Sequence, residues 1–308
     1  MGKYILDYSN VNPELSQDTK YADLSEEELI DCFQPEAWKE ICRDEREMLR
    51  VLQEVGNRYA EGHGIEERPV IERVSDPKVY GSYSYGRNVI TINLDEARKN
   101  PMEALDTVVH EENHALQYQC MDYGSDTTTS FTKEEIALLK AETEAYVNDE
   151  PRYHRQSLEV DSNNAGLRFV LYCKDRFINT PEFEEYINKR DEFYQLLGDE
   201  YEDEPEKVRM SEYLQVLKAY SSGKLTVDEA EDAKRCLQTK NSIRMETEYL
   251  RGQLQEIKQD MEVQNEVQKL EDGLDFLEEE TGSAEDIQET VEVLEVQENE
   301  AVNEYSME

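Results

Sequence analysis

The sequence feature that constrains the fold most is an alternating strand pattern followed closely by a strongly marked helix start. Residues 89–94 alternate apolar and polar side chains, which is typical of a half-buried strand. Shortly afterwards, Asn100 is a favoured N-cap, Pro101 suits the first helical position, and Glu103 stands where a capping box has its acid. The sequence therefore predicts a strand that leads into a helix.

Neighbouring segments extend this pattern in both directions. Two further extended runs, 69–74 and 80–85, precede the strand, and helical patterns follow at about 133–148, 152–177 and 181–197. Short strands followed by a run of helices are typical of the α+β class. We therefore expect a small sheet that packs against several helices.

The composition changes along the chain and predicts five segments. Towards the C-terminus, apolar residues recur four and three apart and then shift register, which is typical of an interrupted coiled coil. We expect residues 245–280 to contact another helix, within the chain or in a second copy. The segments are a polar leader (1–24), a core domain (25–198), an acidic linker with short helices (199–242), a long helix (243–280) and an acidic tail, expected to be disordered or weakly helical (281–308).

Charge and cysteine content limit the partners and the compartment. The 308-residue chain carries 73 acidic and 33 basic side chains, and its formal net charge of −40 repels nucleic-acid phosphates and anionic membranes. We find neither a secretory signal nor an apolar run long enough to span a bilayer, so we expect no membrane contact. Five widely spaced cysteines without a Cys-x-x-Cys pair indicate reduced thiols and a cytoplasmic protein.

The predicted helix after Asn100 carries the pattern His-Glu-x-x-His, in which His110, Glu111 and His114 are the defining residues. Two histidines four residues apart lie one turn apart on one helix face, so both imidazoles can reach one metal ion. Glu111 follows the first histidine, where its carboxylate can take a proton from metal-bound water. Zinc bound by such ligands lowers the pKa of that water to roughly 7. We therefore expect a zinc site with Glu111 as general base.

A catalytic zinc ion needs a third protein ligand and an open coordination position. Glu159 is the preferred candidate, and Asn163, one helical turn further on, can hydrogen-bond a histidine or the carboxylate from behind. Glu142, Glu144 and His154 are competing candidates for the third ligand. The sequence leaves the choice among these four open.

The stretch from Tyr83 to Gln117 resembles the zincin-like metallopeptidases found on mobile elements and in polymorphic toxin systems. The matching residues are Tyr85-Gly86-Arg87-Asn88 for a Gly/Tyr-rich turn, Ile90-Thr91-Ile92-Asn93 for a strand, and His110 to Gln117 for a helix reading His-Glu-x-x-His-Ala-x-Gln. Residues 159–166 are similar to the Glu-x-x-Ala-Asn-x-Phe-Ala helix of the related ImmA/IrrE peptidases. Glu159 matches the ligand and Asn163 the asparagine, whereas Ser162, Ala165 and Gly166 depart from the pattern.

This resemblance covers about residues 65–180 and implies a zincin-like core, bound Zn²⁺ and hydrolysis of a peptide bond in an intracellular protein or peptide. Strand 89–94 would be the edge strand of the cleft, and an extended substrate would add to it as a further strand. A tyrosine or histidine often stabilises the oxyanion in such sites. The candidates for that role are Tyr153, His154, Tyr83 and Tyr85.

A different class of function is also compatible with the sequence. The zincin-like core would then be a scaffold without catalytic activity, and the acidic coiled-coil region would recruit partners or oligomerise. Zinc binding without hydrolysis, together with self-association through 245–280, would distinguish this interaction protein from a peptidase.

Overall fold

The computed structural model describes residues 20–74, 79–123, 131–148, 152–203, 205–239 and 242–281. Helices α1 Glu26–Asp31, α2 Pro35–Ile41 and α3 Glu45–Gly62 come first and are followed by strands β1 Val70–Val74, β2 Gly81–Ser84 and β3 Val89–Asn93. After them come α4 Leu94–Ala97, α5 Pro101–Tyr123, α6 Lys133–Glu144, α7 Ser157–Tyr172, α8 Pro181–Asp203, α9 Pro205–Ser221, α10 Val227–Gln238 and α11 Ser242–Thr281. The described chain is mostly helical with one small sheet, which confirms the expected α+β class.

The three strands form one sheet in the order β1-β3-β2. β1 runs parallel to β3, with Val70 opposite Val89, and β2 runs antiparallel to β3, with Tyr83 opposite Ile90. The prediction that 89–94 forms the edge strand is therefore wrong, because β3 has a partner on both sides. The alternation of apolar and polar side chains in β3 does not indicate how many neighbouring strands it has.

Helix α5 lies at the centre of the fold and contacts α3, α7 and the sheet. It is buried along most of its length, and the buried residues include several polar side chains. Buried polar groups are costly unless they are hydrogen-bonded, so α5 requires polar partners on the elements around it. These polar residues are Glu103, Asp106, Glu111, Glu112, Asn113, His114, Gln117 and Gln119.

The start of α5 follows the expected N-cap only in part. The side-chain oxygen of Asn100 accepts a hydrogen bond from the backbone N–H of Met102 at 2.9 Å. Glu103, the predicted capping acid, lies 3.0 Å from the guanidinium of Arg190 on α8. Asp106 lies at the same distance from that guanidinium, so one half-buried arginine is paired with two carboxylates of α5. The acid at this position therefore fastens α8 to α5.

The described residues between 199 and 255 belong to the same compact unit as the site. Within the predicted acidic linker and short helices (199–242), α8 continues to Asp203 and α9 starts at Pro205. Helices α6, α9 and α10 share an apolar cluster. Its larger members are Leu138, Val216, Leu225, Cys236 and Leu237. The predicted boundaries of the core domain and linker stay predictions.

Helix α11 matches the predicted long helix, whereas coiled-coil pairing stays a prediction. By contacts the chain divides into two units, Met1–Gln255 and Glu256–Glu308. Most of the predicted leader and nearly all of the acidic tail lie outside the described residues. All five cysteines are free thiols. Among the described helices, none has the length and apolar character needed to cross a membrane.

Glycine at position 166 allows α7 to approach α5, and this predicts opposite effects for two glycine-to-alanine changes. A Cβ at Gly166 would lie 3.0 Å from the carbonyl oxygen of Asp106, so Gly166→Ala should lower the free energy of unfolding by about 1–3 kcal/mol. The matched change Gly252→Ala meets no atom within 4 Å and should raise it by about 0.5–1 kcal/mol. Urea unfolding measures both, and equal effects would contradict the close contact.

Candidate metal centre

The two histidines of the motif face each other across one turn of α5. The Nε2 atoms of His110 and His114 lie 3.2 Å apart. The helix sets this separation, since side chains four residues apart project from the same face. His114 is buried and His110 is half-buried, so the pair sits at the boundary between the core and solvent.

Glu159, in the first turn of α7, completes the cluster. Its Oε2 atom lies 3.6 Å from Nε2 of His110 and 3.8 Å from Nε2 of His114. This oxygen is buried and has no hydrogen-bond partner among the described residues. Ligands of a tetrahedral zinc ion at bond lengths near 2.05 Å are separated by about 3.3 Å. The three atoms therefore fit a shared divalent cation closely.

 

The charge state of the Glu159 carboxyl group is set by the neighbouring side chains rather than by solvent. Burial of this carboxyl raises its pKa, but the adjacent imidazoles of His114 and His110 outweigh burial and hold the pKa well below its ordinary value. The carboxylate is therefore ionised at neutral pH. Its other oxygen, Oε1, accepts a hydrogen bond from the Tyr146 hydroxyl at 2.5 Å, which leaves Oε2 directed at the imidazoles.

Glu111 follows His110 on α5, and its side chain lies next to the edge strand β2. Burial raises the pKa of its carboxyl group, although the positive charge of nearby His110 and His114 and a hydrogen bond with the Tyr83 backbone oppose the rise. A Cβ at Gly81 would lie 3.1 Å from both Cγ and Oε1 of Glu111, so the glycine makes room for this side chain. A carboxyl group with a raised pKa is well suited to accept and return a proton near neutral pH.

The three competing candidates for the third ligand have other partners. Glu142 accepts hydrogen bonds from the backbone N–H groups of Ser157 at 3.0 Å and Leu158 at 2.8 Å, and so it caps the start of α7. Glu144 lies 3.1 Å from the ammonium group of Lys224. The ring of His154 packs edge-to-face on Phe193, with centroids 5.4 Å apart. These contacts place all three outside the cluster.

The predicted helix 152–177 is shorter than expected, because a 3-10 turn over Tyr153–Arg155 precedes α7 and a second one over Lys174–Arg176 follows it. Asn163 lies on α7 as expected, but its side-chain N–H donates to the carbonyl oxygen of Glu159 at 2.8 Å. The expected hydrogen bond from Asn163 to a histidine or to the carboxylate is replaced by this contact, since the carbonyl four residues back lies within its reach.

The tyrosine candidates for oxyanion stabilisation divide into two groups. The hydroxyl of Tyr83 donates to Asn88 at 3.0 Å and that of Tyr85 to Asp122 at 2.6 Å, so both are directed to other partners. Tyr153 lies near the cluster, where burial and the Glu159 carboxylate raise its pKa. Tyr146 occupies a similar position and was missed in the sequence, because it follows α6 without any recognisable spacing to the motif.

Three further polar residues at the site were also not singled out as functional. Nδ1 of His114 lies 2.8 Å from Oε1 of Gln117 and 3.2 Å from Oγ of Ser162, and Asp161 is in turn a partner of Gln117. Gln117 had a sequence signal, since it stands three residues after His114 on the same helix. Asp161 and Ser162 had none apart from their closeness to Glu159.

Comparisons with protein-family models, with curated proteins and with solved structures give no significant match to this chain. The resemblance to zincin-like peptidases therefore rests on the quoted motifs, and the argument for the site rests on its geometry.

The Glu142 cap predicts a pH dependence of stability. Burial raises the pKa of this carboxyl to about 8, and the hydrogen bonds from α7 only partly oppose it. Because the folded protein holds the proton more tightly than the unfolded chain, this contribution to stability is complete below the unfolded pKa of about 4.5 and is lost as the pH rises through about 8. Glu142→Gln removes the titration.

Between pH 5 and pH 8 we therefore expect the unfolding free energy of the wild type to fall by about 1–3 kcal/mol relative to that of Glu142→Gln. A difference between the two proteins that does not depend on pH adds to this change. Urea unfolding at several pH values, with chelator present in both proteins, measures the pH-dependent change. A difference that is independent of pH throughout this range would contradict the prediction.

Proposed function

We propose that this protein is a zinc-dependent metallopeptidase that hydrolyses a peptide bond in a protein or peptide substrate. One observation carries the proposal: the unpartnered Oε2 of Glu159 meets the Nε2 atoms of His110 and His114 beside the buried carboxyl of Glu111. Two imidazoles and one carboxylate form a donor set known for catalytic zinc sites, in which a fourth position stays open. Peptide hydrolysis is favoured by the resemblance of the motif.

Zinc bound at these three side chains would supply Lewis-acid polarisation of a carbonyl group and would acidify water. Glu111 would accept the proton of the attacking water on its carboxylate and deliver it to the leaving amine. Its raised pKa suits both steps, because a base with a pKa closer to neutral holds a proton long enough to return it. Tyr153 is the candidate hydroxyl donor for the developing oxyanion, whereas the Tyr146 hydroxyl already donates to Oε1 of Glu159.

We further propose that an extended substrate lies along β2. This strand is at an edge of the sheet and contacts α5, and its Gly81 and the backbone of Tyr83 touch Glu111. A peptide that adds to a sheet edge gains main-chain hydrogen bonds without a requirement for particular side chains. The zincin-like core is part of this proposal, supported by a sheet edge and two ligand-bearing helices.

Three substitutions in the cluster test the metal site and the chemistry separately. His114→Ala and Glu159→Ala should each weaken zinc binding more than about 100-fold, whereas Glu111→Gln should keep stoichiometric zinc and lower kcat/KM for peptide hydrolysis more than about 100-fold. Metal analysis and a quenched-fluorescent peptide library measure the two effects.

Glu144→Ala is the matched control, because this carboxylate pairs with Lys224 and should not affect zinc binding. Wild-type protein that takes up no zinc, or Glu111→Gln that hydrolyses peptides at the wild-type rate, would refute the proposed function.

Gly81 offers a test of how closely Glu111 is positioned. A methyl group at this site would lie 2.6 Å from Cγ2 of Thr107 and 3.1 Å from Cγ and Oε1 of Glu111, so Gly81→Ala should displace Glu111 and reduce kcat/KM about 10-fold or more while zinc affinity is unchanged. Gly86→Ala is the matched control in the turn after β2, since its Cβ meets no atom within 4 Å. Equal activity of the two variants would show that Glu111 does not depend on this contact.

A scaffold without catalytic activity is the competing proposal. It is favoured by Val263 and Val267, which lie one turn apart on α11 and are exposed, as expected of a helix that binds a partner. Zinc-loaded protein that cleaves no peptide in the library and self-associates in sedimentation experiments would support this alternative over the peptidase.

A further inference from the structure

The two ring nitrogens of His114 have different surroundings. Nε2 faces the proposed metal position, 3.8 Å from Oε2 of Glu159, whereas Nδ1 lies 2.8 Å from Oε1 of Gln117. A neutral imidazole carries one N–H, so only the tautomer protonated on Nδ1 leaves a lone pair on Nε2 for a metal. The partner at Nδ1 therefore decides whether His114 is ready to bind a cation.

The orientation of the Gln117 side-chain amide is fixed by its environment. The side chain is fully buried, and its Nε2 lies 2.9 Å from the carbonyl oxygen of Leu158 and 2.7 Å from Oδ2 of Asp161. A backbone carbonyl oxygen can only accept a hydrogen bond, and the same holds for an ionised carboxylate. Reversal of the amide would place its oxygen against these two acceptors and direct its NH₂ group at Nδ1 of His114. The amide oxygen must therefore face His114.

We propose that Asp161 is a positioning residue, which acts through Gln117 to hold His114 in the tautomer that presents the Nε2 lone pair to the metal. The inference rests on the proposed zinc site for its purpose. The tautomer itself is a property of this chain and can be measured without zinc.

The elements around α5 support this arrangement. Oδ2 of Asp161 also accepts a hydrogen bond from the Asn113 side chain at 2.6 Å, and Asn113 in turn accepts one from the Tyr59 hydroxyl at 2.9 Å. The Asp161 carboxylate on α7 is thus linked through Asn113 to Tyr59 on α3. The hydroxyl of Ser162, 3.2 Å from Nδ1, can donate or accept and so does not select a tautomer.

Two glutamine substitutions on α5 test the proposal with a matched control. Gln117→Met removes the acceptor at Nδ1 and keeps the length of the side chain. Gln119→Met removes another glutamine of α5 whose side chain bonds two backbone groups, the N–H of Glu66 and the carbonyl of Gly64, each at 2.8 Å. Both variants lose similar hydrogen bonds, but only the first changes the surroundings of His114.

Long-range ¹H–¹⁵N correlation spectra of ¹⁵N-histidine-labelled protein report the tautomer directly, and the chain has only four histidines to assign. The metal-free protein is brought to a pH at which the ¹⁵N shifts of the ring show the neutral form, and the tautomer is determined there. Zinc affinity is measured on the same samples by competition with a chelator.

We expect His114 to be protonated on Nδ1 in the wild type and in Gln119→Met. In Gln117→Met we expect a mixture of tautomers and a zinc affinity lower by about 10- to 100-fold. Equal spectra and equal affinities in the two methionine variants would overturn the proposal.

A second pair of variants isolates Asp161 and also serves if Gln117→Met does not fold. Asp161→Ala removes one of the two acceptors that orient Gln117 and leaves the Leu158 carbonyl, so it should shift both readouts part of the way towards Gln117→Met. Asp161→Asn keeps an oxygen that can accept from Gln117 and should restore the wild-type tautomer. A wild-type tautomer in Asp161→Ala would overturn the role of Asp161. Wild-type protein with the Nδ1 tautomer but without zinc binding would refute the proposed function alone.

Discussion

At Gly166 the backbone of α7 comes so close to the carbonyl of Asp106 on α5 that no larger side chain fits between the two helices. The rest of the site depends on this approach, because the two histidines stand on one helix and the carboxylate that meets them stands on the other. Close packing also removes water from polar side chains of α5, and α7 supplies hydrogen-bond partners for two of them. Asp161 provides such a partner for both Asn113 and Gln117.

Local rules predicted much of the fold and of the site. The strands, the N-cap of α5 and the facing pair His110 and His114 follow from short-range patterns of spacing and capping, whereas the motif match for Glu159 came from a family resemblance. Whether a strand lies at the sheet edge depends on which elements become neighbours, and short-range spacing does not contain that information. Glu142 illustrates the difference, since its carboxylate stands fifteen residues before the backbone N–H it caps. The hydrogen bond from Tyr146 to Glu159 likewise joins residues that no local spacing pattern connects.

Two neighbouring carboxyl groups of the site have pKa values that are shifted in opposite directions. Glu159 contacts two imidazoles and stays ionised, whereas burial dominates at Glu111 and raises its pKa. Differences of this kind allow one carboxylate to bind a cation while another exchanges protons. The large negative charge of the chain favours the approach of cations in general, but the selection of one position comes from these local contacts.

The apolar cluster shared by α6, α9 and α10 has a practical consequence for work with fragments. A truncated protein that ends at residue 198 would expose the face of α6 that carries Leu138, which is fully buried in the intact chain. Exposed apolar faces of this kind promote aggregation. The last turn of the same helix carries Glu142, which caps α7, so loss of its cover would affect Glu159 as well. Expression of the region that carries the candidate site should therefore include the chain at least to Gln238.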